Sequence, residues 1–273
     1  MTTTHERARA LRDSYAGQGG STAVFSPRVD DYLASRPGYP ADLFAEILHR
    51  VPISDASVVA DVGSGTGLLA AGFLERNVRV VAIEPSEEMR RVAEARWGKH
   101  ERYRGMAGTA EQIPLPTASV ALVTAAQAFH WFDLERAREE FLRVLVPEGQ
   151  VALVWNDREM TDPTQQALET VFSEHGGPQR AALAAHDDRS GVPLFFGSKP
   201  WTQLSWNHEQ VLDAPGVDAL VFSRSYMPLR ASAEAPAVRA SIRRHLEPHM
   251  REGGLTLRYV TRLYLGRPGH SLC

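Results

Sequence analysis

The run SVVADVGSGTG (residues 57–67), continued by LLAAGFLERN (68–77) and VRVVAIEP (78–85), carries the pattern that decides the fold. Its first part is continuously apolar up to Asp61, as expected of a strand buried on both faces. Glycines 63, 65 and 67 then turn the chain tightly, and 68–77 reads as a short helix stopped at Asn77. Residues 78–85 form a second apolar strand that ends in an acidic residue, Glu84. Strand, glycine turn, helix and strand make a βαβ unit, whose two strands lie parallel.

The same rhythm extends on both sides. SEEMRRVAEARW (86–97) reads as a helix with Ser86 as N-cap and Glu87 and Glu88 in the first turn, where the helix dipole favours them. A weaker strand is expected at 102–106, a fourth at 119–126, a helix at 133–145 and a fifth strand at 150–156. Apolar strands alternating with helices mean an α/β fold with a parallel sheet covered on both faces. Upstream, residues 41–50 place Leu43, Phe44, Ile47 and Leu48 on one helical face, behind a turn forced by RPGYP (36–40). Residues 1–25 are polar, with GQGGST at 17–22, and are expected to form a tail or lid. After Asn156 the rhythm changes: 163–190 reads as helical and polar, and strand-like segments return at 201–206 and 255–265. Helices are expected near 215–222 and from 234 to about 250. The organisation is an N-terminal lid or tail over 1–40 and a single α/β domain over 41–273, with a helical insertion at about 160–200.

Composition bounds the function. With 43% hydrophobic and 23% charged residues in 273, the chain can bury a core, which excludes wholesale disorder. A net charge of −3 argues against a surface built to coat nucleic acid or an anionic membrane. No run approaches eighteen apolar residues, and the opening MTTTHERARALRD has no apolar core of a secretory signal. The one cysteine, Cys273, leaves neither an intrachain disulfide nor a cysteine zinc site. A soluble, cytoplasmic protein is expected. His245 and His249 share a helical spacing, but no third ligand accompanies them, so no metal is expected.

The glycine turn points to a nucleoside ligand. Glycine lets the backbone turn and a ligand approach, and the next helix presents free N–H groups. Glu84, 23 positions after Asp61, is placed to accept two hydrogen bonds from a ribose diol. A nicotinamide fingerprint needs G-x-G-x-x-G, but here the third glycine comes one residue early and Leu68 holds its place. Asp61, just before the turn, suits an ammonium group, directly or through water. Ammonium, carboxylate and ribose together describe S-adenosylmethionine.

Several blocks now converge: FSPRVDDYLASRPGYP, VVADVGSGTG, VVAIEPSEEM, GTAEQIPLPTASVALV, AQAFHWFD and LVWNDRE. Through them the chain resembles the class I S-adenosylmethionine-dependent methyltransferases of the type 11 group, over roughly residues 25–160. The RPGYP turn paired with FHWF is similar to small-molecule members such as the trans-aconitate methyltransferases. The resemblance implies a Rossmann-like seven-stranded sheet in the order 3-2-1-4-5-7-6, the last strand antiparallel, flanked by helices. It also implies that Asp61, Gly63, Ser64, Gly65 and Gly67 cradle the amino-acid end of the cofactor. Glu84 would hold the ribose, with Pro85 and Met89 beside the adenine and Thr109, Ala110 and Glu111 along its edge. Gln127 would begin the loop near the sulfonium. Two departures stand out: Thr109 replaces an Asp common among relatives, and Ala121 replaces another at the start of strand four.

Methyl transfer needs alignment and exclusion of water, plus a general base only for weak nucleophiles. His130 is the candidate base or polar substrate contact, or else forms the pocket wall with Trp131. Tyr32, Arg36 and Tyr39 belong to the N-terminal element that relatives fold over the cofactor. Arg36 could pair with the methionine carboxylate or form a surface ion pair. Trp131, Tyr39, Asn156 and Tyr226 are candidates for substrate contact, although Asn156 could equally cap a helix and Tyr226 could be core. The expected partner is a small-molecule metabolite, plausibly of specialised metabolism, with S-adenosylhomocysteine as the product, no nucleic acid and no membrane. Oligomeric state is left open. The competing readings are an RNA or protein methyltransferase and a non-catalytic cofactor-binding scaffold or regulator.

Overall fold

A computed structural model of the chain describes residues 28–184 and 189–269. The expected tail at 1–25, its GQGGST patch and Cys273 lie outside them. Helices α1 (Val29–Ser35) and α2 (Ala41–Arg50) flank the RPGYP turn. The βαβ unit follows as β1 (Val58–Val62), α3 (Leu68–Leu74) and β2 (Arg79–Ile83). Asn77 sits at φ +59, the left-handed stop its position suggested. Next come α4 (Glu87–Trp97), β3 (Tyr103–Met106), β4 (Val120–Ala126), α5 (Leu134–Val144) and β5 (Leu145–Arg158). The remainder is α6 (Pro163–His175), α7 (Gly177–Ala184), α8 (Gly191–Phe196), β6 (Trp201–Leu212), α9 (Ala214–Phe222), α10 (Ala235–Leu246) and β7 (Leu255–Gly266).

Seven strands form one sheet in the order β3-β2-β1-β4-β5-β7-β6. Neighbours from β3 through β5 run parallel, and β7 is antiparallel to both β5 and β6. The direction of winding changes between β1 and β4, and such a switch leaves a crevice at the carboxyl ends of those strands.

Successive residues of β1 face opposite layers, as a pleated strand requires. Val59 packs with Leu43, Phe44 and Ile47 of α2 and Phe73 of α3. Ala60 and Val62 pack with Phe141 of α5 and Phe195 of α8 on the other face. A third apolar cluster joins Phe172 of α6, Leu220 and Phe222 of α9 and Val238 of α10 to Leu257 and Tyr259 of β7. Helix α9 of this annex also packs against α1, so the N-terminal helix is held between annex and cleft.

Three expectations are corrected here, and one element is added. Strand β6 runs to Leu212 rather than Trp206, pairing with β7 along its whole length. It is an edge strand with one solvated face, so its NHEQ stretch carries too few apolar residues to announce it. The segment before Trp201 contains a short helix, α8, whose Phe195 and Phe196 are fully buried despite the neighbouring Gly and Pro. The region after Pro163 is not simply polar, because α6 buries Leu168, Val171 and Phe172; residues 185–188 lie outside the description. The last helix ends at Leu246 and Pro248 sits in a separate 3₁₀ turn, so His245 and His249 do not share a helix. Among the described residues, no helix is long and apolar enough to cross a membrane.

Candidate functional site

The carboxyl ends of β1, β2 and β4 open onto one cleft enclosing about 210 Å³. Its floor is the glycine turn. The amides of Gly63 and Ser64 donate to the Ile83 carbonyl at 2.8 and 3.2 Å, tying the turn to the end of β2. Gly63, Gly65 and Gly67 sit at φ +67, +55 and +78, in the left-handed region that side chains disfavour. A Cβ on Gly63 would meet Ala128 at 2.7 Å, and one on Gly67 would meet Trp97 at 2.9 Å. At Gly65 it would meet nothing within 4 Å, and Gly65 lines the cleft. A side chain there would project into the space a ligand would occupy.

Glu84 holds the crest of this turn. Its Oε2 accepts from the Gly65 amide and its Oε1 from the Ser86 amide, each at 2.9 Å. Each carboxylate oxygen keeps a further lone pair for a hydroxyl donor. Burial raises its carboxyl above the ordinary value, with the two amide bonds opposing. Ser86 then caps α4 by accepting from the Met89 amide.

Asp61 lies beneath. Thr124, its partner in register on β4, donates Oγ1 to Asp61 Oδ1 at 2.7 Å. The other oxygen, Oδ2, is buried with no hydrogen-bond partner among the described residues. Burial pushes this carboxyl up to about 7, against the Thr124 bond and with the Glu84 charge adding. A buried oxygen in that condition suits a cationic ligand. The Tyr39 phenol is raised well above its usual range, first by burial and then by Tyr32 and Asp61.

The opposite wall is a tight turn in which Thr109 and Gln112 exchange backbone hydrogen bonds at 3.3 Å, presenting Ala110 and Glu111. Glu111 Oε1 accepts from the Asp133 amide at 2.8 Å and so joins this turn to the start of α5. Gln127, just past β4, is a non-glycine residue at φ +55. Its amide donates to Val154 and its Nε2 to the Asn156 carbonyl, both at 3.0 Å. Strained backbone held by specific bonds is characteristic of binding sites.

The sequence-derived candidates divide between the cleft and its surroundings. Tyr32, Gly63, Gly65, Glu84, Pro85 and Met89 line the cleft, as do Thr109, Ala110, Glu111, Gln127 and Trp131. Asp61 and Ser64 are placed under the turn, and Gly67 begins α3 against Trp97. Arg36 stacks on Tyr32, with its guanidinium carbon 4.5 Å from the ring centroid. His130 sits on a 3₁₀ turn with its ring tilted against Trp131 of the cleft wall, centroids 5.0 Å apart. Tyr226 packs edge-on to Phe172 in the annex.

Asn156, a candidate for substrate contact or helix capping, makes side-chain bonds to two distant elements. Its Nδ2 donates to Gly38 O at 2.9 Å and Pro37 O at 3.5 Å, and its Oδ1 accepts from Thr261 at 2.6 Å. Both side-chain donor positions of Asn156 thus fasten the RPGYP turn to the end of β5, and its oxygen ties the same point to β7. Ser86, Ala126, Ala128 and Phe132 also line the cleft, unassigned from sequence. Phe132, inside the FHWFD block, carried the clearest signal of these.

Comparison with known proteins fits this geometry. A family model for the methyltransferase domain matches residues 60–153. An uncharacterised methyltransferase of Mycobacterium tuberculosis is 34% identical over 240 residues, spanning 87% of this chain and 92% of that protein. An uncharacterised methyltransferase-like protein of Schizosaccharomyces pombe is 34% identical over 186 residues, 68% of this chain and 66% of that one. A solved structure from Anaeromyxobacter dehalogenans, described as a candidate type II methyltransferase, superposes with a TM-score of 0.61 at 24% identity. It covers 86% of this chain and 99% of its own, a likeness of fold.

Proposed function

This chain belongs to the class I S-adenosylmethionine-dependent methyltransferase family, and from that premise we propose that it methylates a small-molecule metabolite. The observation that carries the reading is the cleft over Gly65, where the Glu84 carboxylate lines the wall and Asp61 holds a buried, unpartnered oxygen below. These features fit the cofactor's ribose, its amino-acid end and its need for a close backbone. Asp61 would hold the ammonium, directly or through water, beneath the turn formed by Gly63, Ser64, Gly65 and Gly67. Arg36, stacked on Tyr32, would receive the carboxylate. Glu84 would accept from the ribose hydroxyls. Pro85, Met89, Thr109, Ala110 and Glu111 would flank the adenine.

When bound, S-adenosylmethionine supplies an activated methyl group for in-line displacement, leaving S-adenosylhomocysteine. The chain's part is to align the acceptor and exclude water. Gln127 and Trp131 close the cleft on the side of β4, and α1 covers it through Tyr32. His130 would take a proton where the acceptor is a weak nucleophile such as a phenol or alcohol. Tyr39 and Asn156 support the acceptor side by fixing the RPGYP turn, and Tyr226 belongs to the annex behind it. An acceptor from specialised metabolism is supported by the resemblance to small-molecule members.

The test is label transfer from methyl-tritiated S-adenosylmethionine to separate metabolite, RNA and protein fractions of a cell extract. Label in the metabolite fraction with the wild type, and none with Gly65→Arg, supports the reading. Label confined to RNA or protein overturns it.

A further inference from the structure

Three arginines meet where β5, α9 and α1 end. Arg158 is the last residue of β5, Arg224 lies two residues past α9, and Arg36 directly follows α1. Phe172 of α6 joins two of them: the guanidinium carbons of Arg158 and Arg224 lie 5.2 and 5.4 Å from its ring centroid. Arg36 leads from there to the cleft, since it stacks on Tyr32, which lines the cleft wall.

Among the described residues the positive charge is undercompensated. Arg158 pairs with Glu169, but Glu169 is shared with Arg180. Arg36 and Arg224 have no carboxylate partner among the described residues; Arg36 reaches only the Ser223 carbonyl, at 3.4 Å. Arg36 Nε, Arg158 Nη1 and Arg224 Nε are buried without a hydrogen-bond partner among the described residues. Burial, and next the neighbouring charge of Arg224, lowers both Arg36 and Arg158 to about 10. Both therefore remain cationic at neutral pH. Buried cations with idle N–H groups are costly, and a fork of such donors matches a planar or tetrahedral oxyanion. The location is also apt, at the carboxyl ends of the strands, where open α/β sheets bind ligands.

We propose that Arg158 and Arg224 form a receptor for an anionic oxyacid group, carboxylate or phosphate, carried by the methyl acceptor. This deepens the methyltransferase reading and rests on it. Arg36 is committed to the carboxylate of the cofactor, so the two remaining arginines serve a second anion. Their anchoring of the acceptor's charged end at the annex leaves its other end free to reach the cleft past Tyr32.

The test is calorimetric titration of the full chain, empty and loaded with S-adenosylhomocysteine, with succinate, inorganic phosphate and neutral succinamide at constant ionic strength. The expected result is binding of at least one anion and none of succinamide. Succinate above phosphate assigns a carboxylate, and the reverse a phosphate. Arg224→Gln should weaken the anion at least about tenfold, with S-adenosylhomocysteine affinity unchanged, and Arg224→Lys should keep part of the binding. Should Arg224→Gln fail to fold, the rise in wild-type melting temperature with the anion over chloride, and its retention in Arg224→Lys, decide the matter. No anion binding by the wild type, or equal binding by Arg224→Gln, overturns the proposal. Absence of S-adenosylhomocysteine binding would count against the cofactor reading alone, because the anion arms are also run on the empty chain.

Discussion

Thr124 Oγ1 donates to Asp61 Oδ1 at 2.7 Å across adjacent strands, and the second oxygen of Asp61 stays buried without a partner among the described residues. The pair gives the floor of the cleft a titration near neutrality. The folded carboxyl sits at about 7 against an ordinary 3.8, with burial as the main cause. A ligand ammonium binds the ionised form, so affinity for S-adenosylhomocysteine should rise about tenfold between pH 6 and 8 and then level off. Asp61→Asn should bind more weakly and flatten the profile. A wild-type affinity independent of pH across this window would remove Asp61 from the site.

The same carboxyl sets a stability trend. An acid raised on folding binds its proton more tightly folded than unfolded, so its contribution is full below about pH 4 and is lost as the pH rises to about 7. The empty protein should melt lower at pH 8 than at pH 6, and Asp61→Asn should reduce that difference. Scanning calorimetry on both proteins checks the sign.

Gly65→Arg should abolish cofactor binding, weakening it by at least about 100-fold, while costing only about 1–3 kcal/mol of stability from the left-handed backbone. Circular dichroism would confirm the fold and calorimetry the affinity. Wild-type affinity in this variant would mean that the ligand does not pass over Gly65.

Glu84→Ala removes two amide contacts and the proposed ribose acceptor together. Loss of the two bonds should cost about 2–4 kcal/mol, and S-adenosylhomocysteine should bind at least about tenfold more weakly. A destabilised variant with unchanged affinity would leave Glu84 as a fastener of the turn and nothing more.

Asn156→Ala should act through the RPGYP turn. Freed from Gly38 and Pro37, that turn loses its tie to β5, and the melting temperature should fall with a loss of about 1–3 kcal/mol. His130→Ala makes the contrast: cofactor affinity should hold while label transfer falls. An unchanged transfer rate would make His130 only a neighbour of Trp131.

What the sequence disclosed follows from where each residue is buried. Strands β1, β2, β4 and β5 are covered on both faces, so their unbroken apolar runs stood out, and the glycine turn announced itself through its spacing. Strand β6 wets one face and sits at the edge, so its second half was invisible until β7 paired with it. Gly65 and Glu84 could be placed together from one βαβ unit. The meeting of Arg36, Arg158 and Arg224 could not, because it depends on α6 and α9 packing around Phe172. The bonds of Asn156 were not legible because its partners, Gly38 and Thr261, are distant in sequence.

The most direct measurement is calorimetric titration of the purified chain, stripped of any co-purified ligand, with S-adenosylmethionine, S-adenosylhomocysteine and NADH. Both sulfur compounds should bind in the micromolar range, NADH should give no heat, and Gly65→Arg should lose both signals. Binding of NADH alone, or sulfur-compound binding that survives Gly65→Arg, would contradict the cofactor reading.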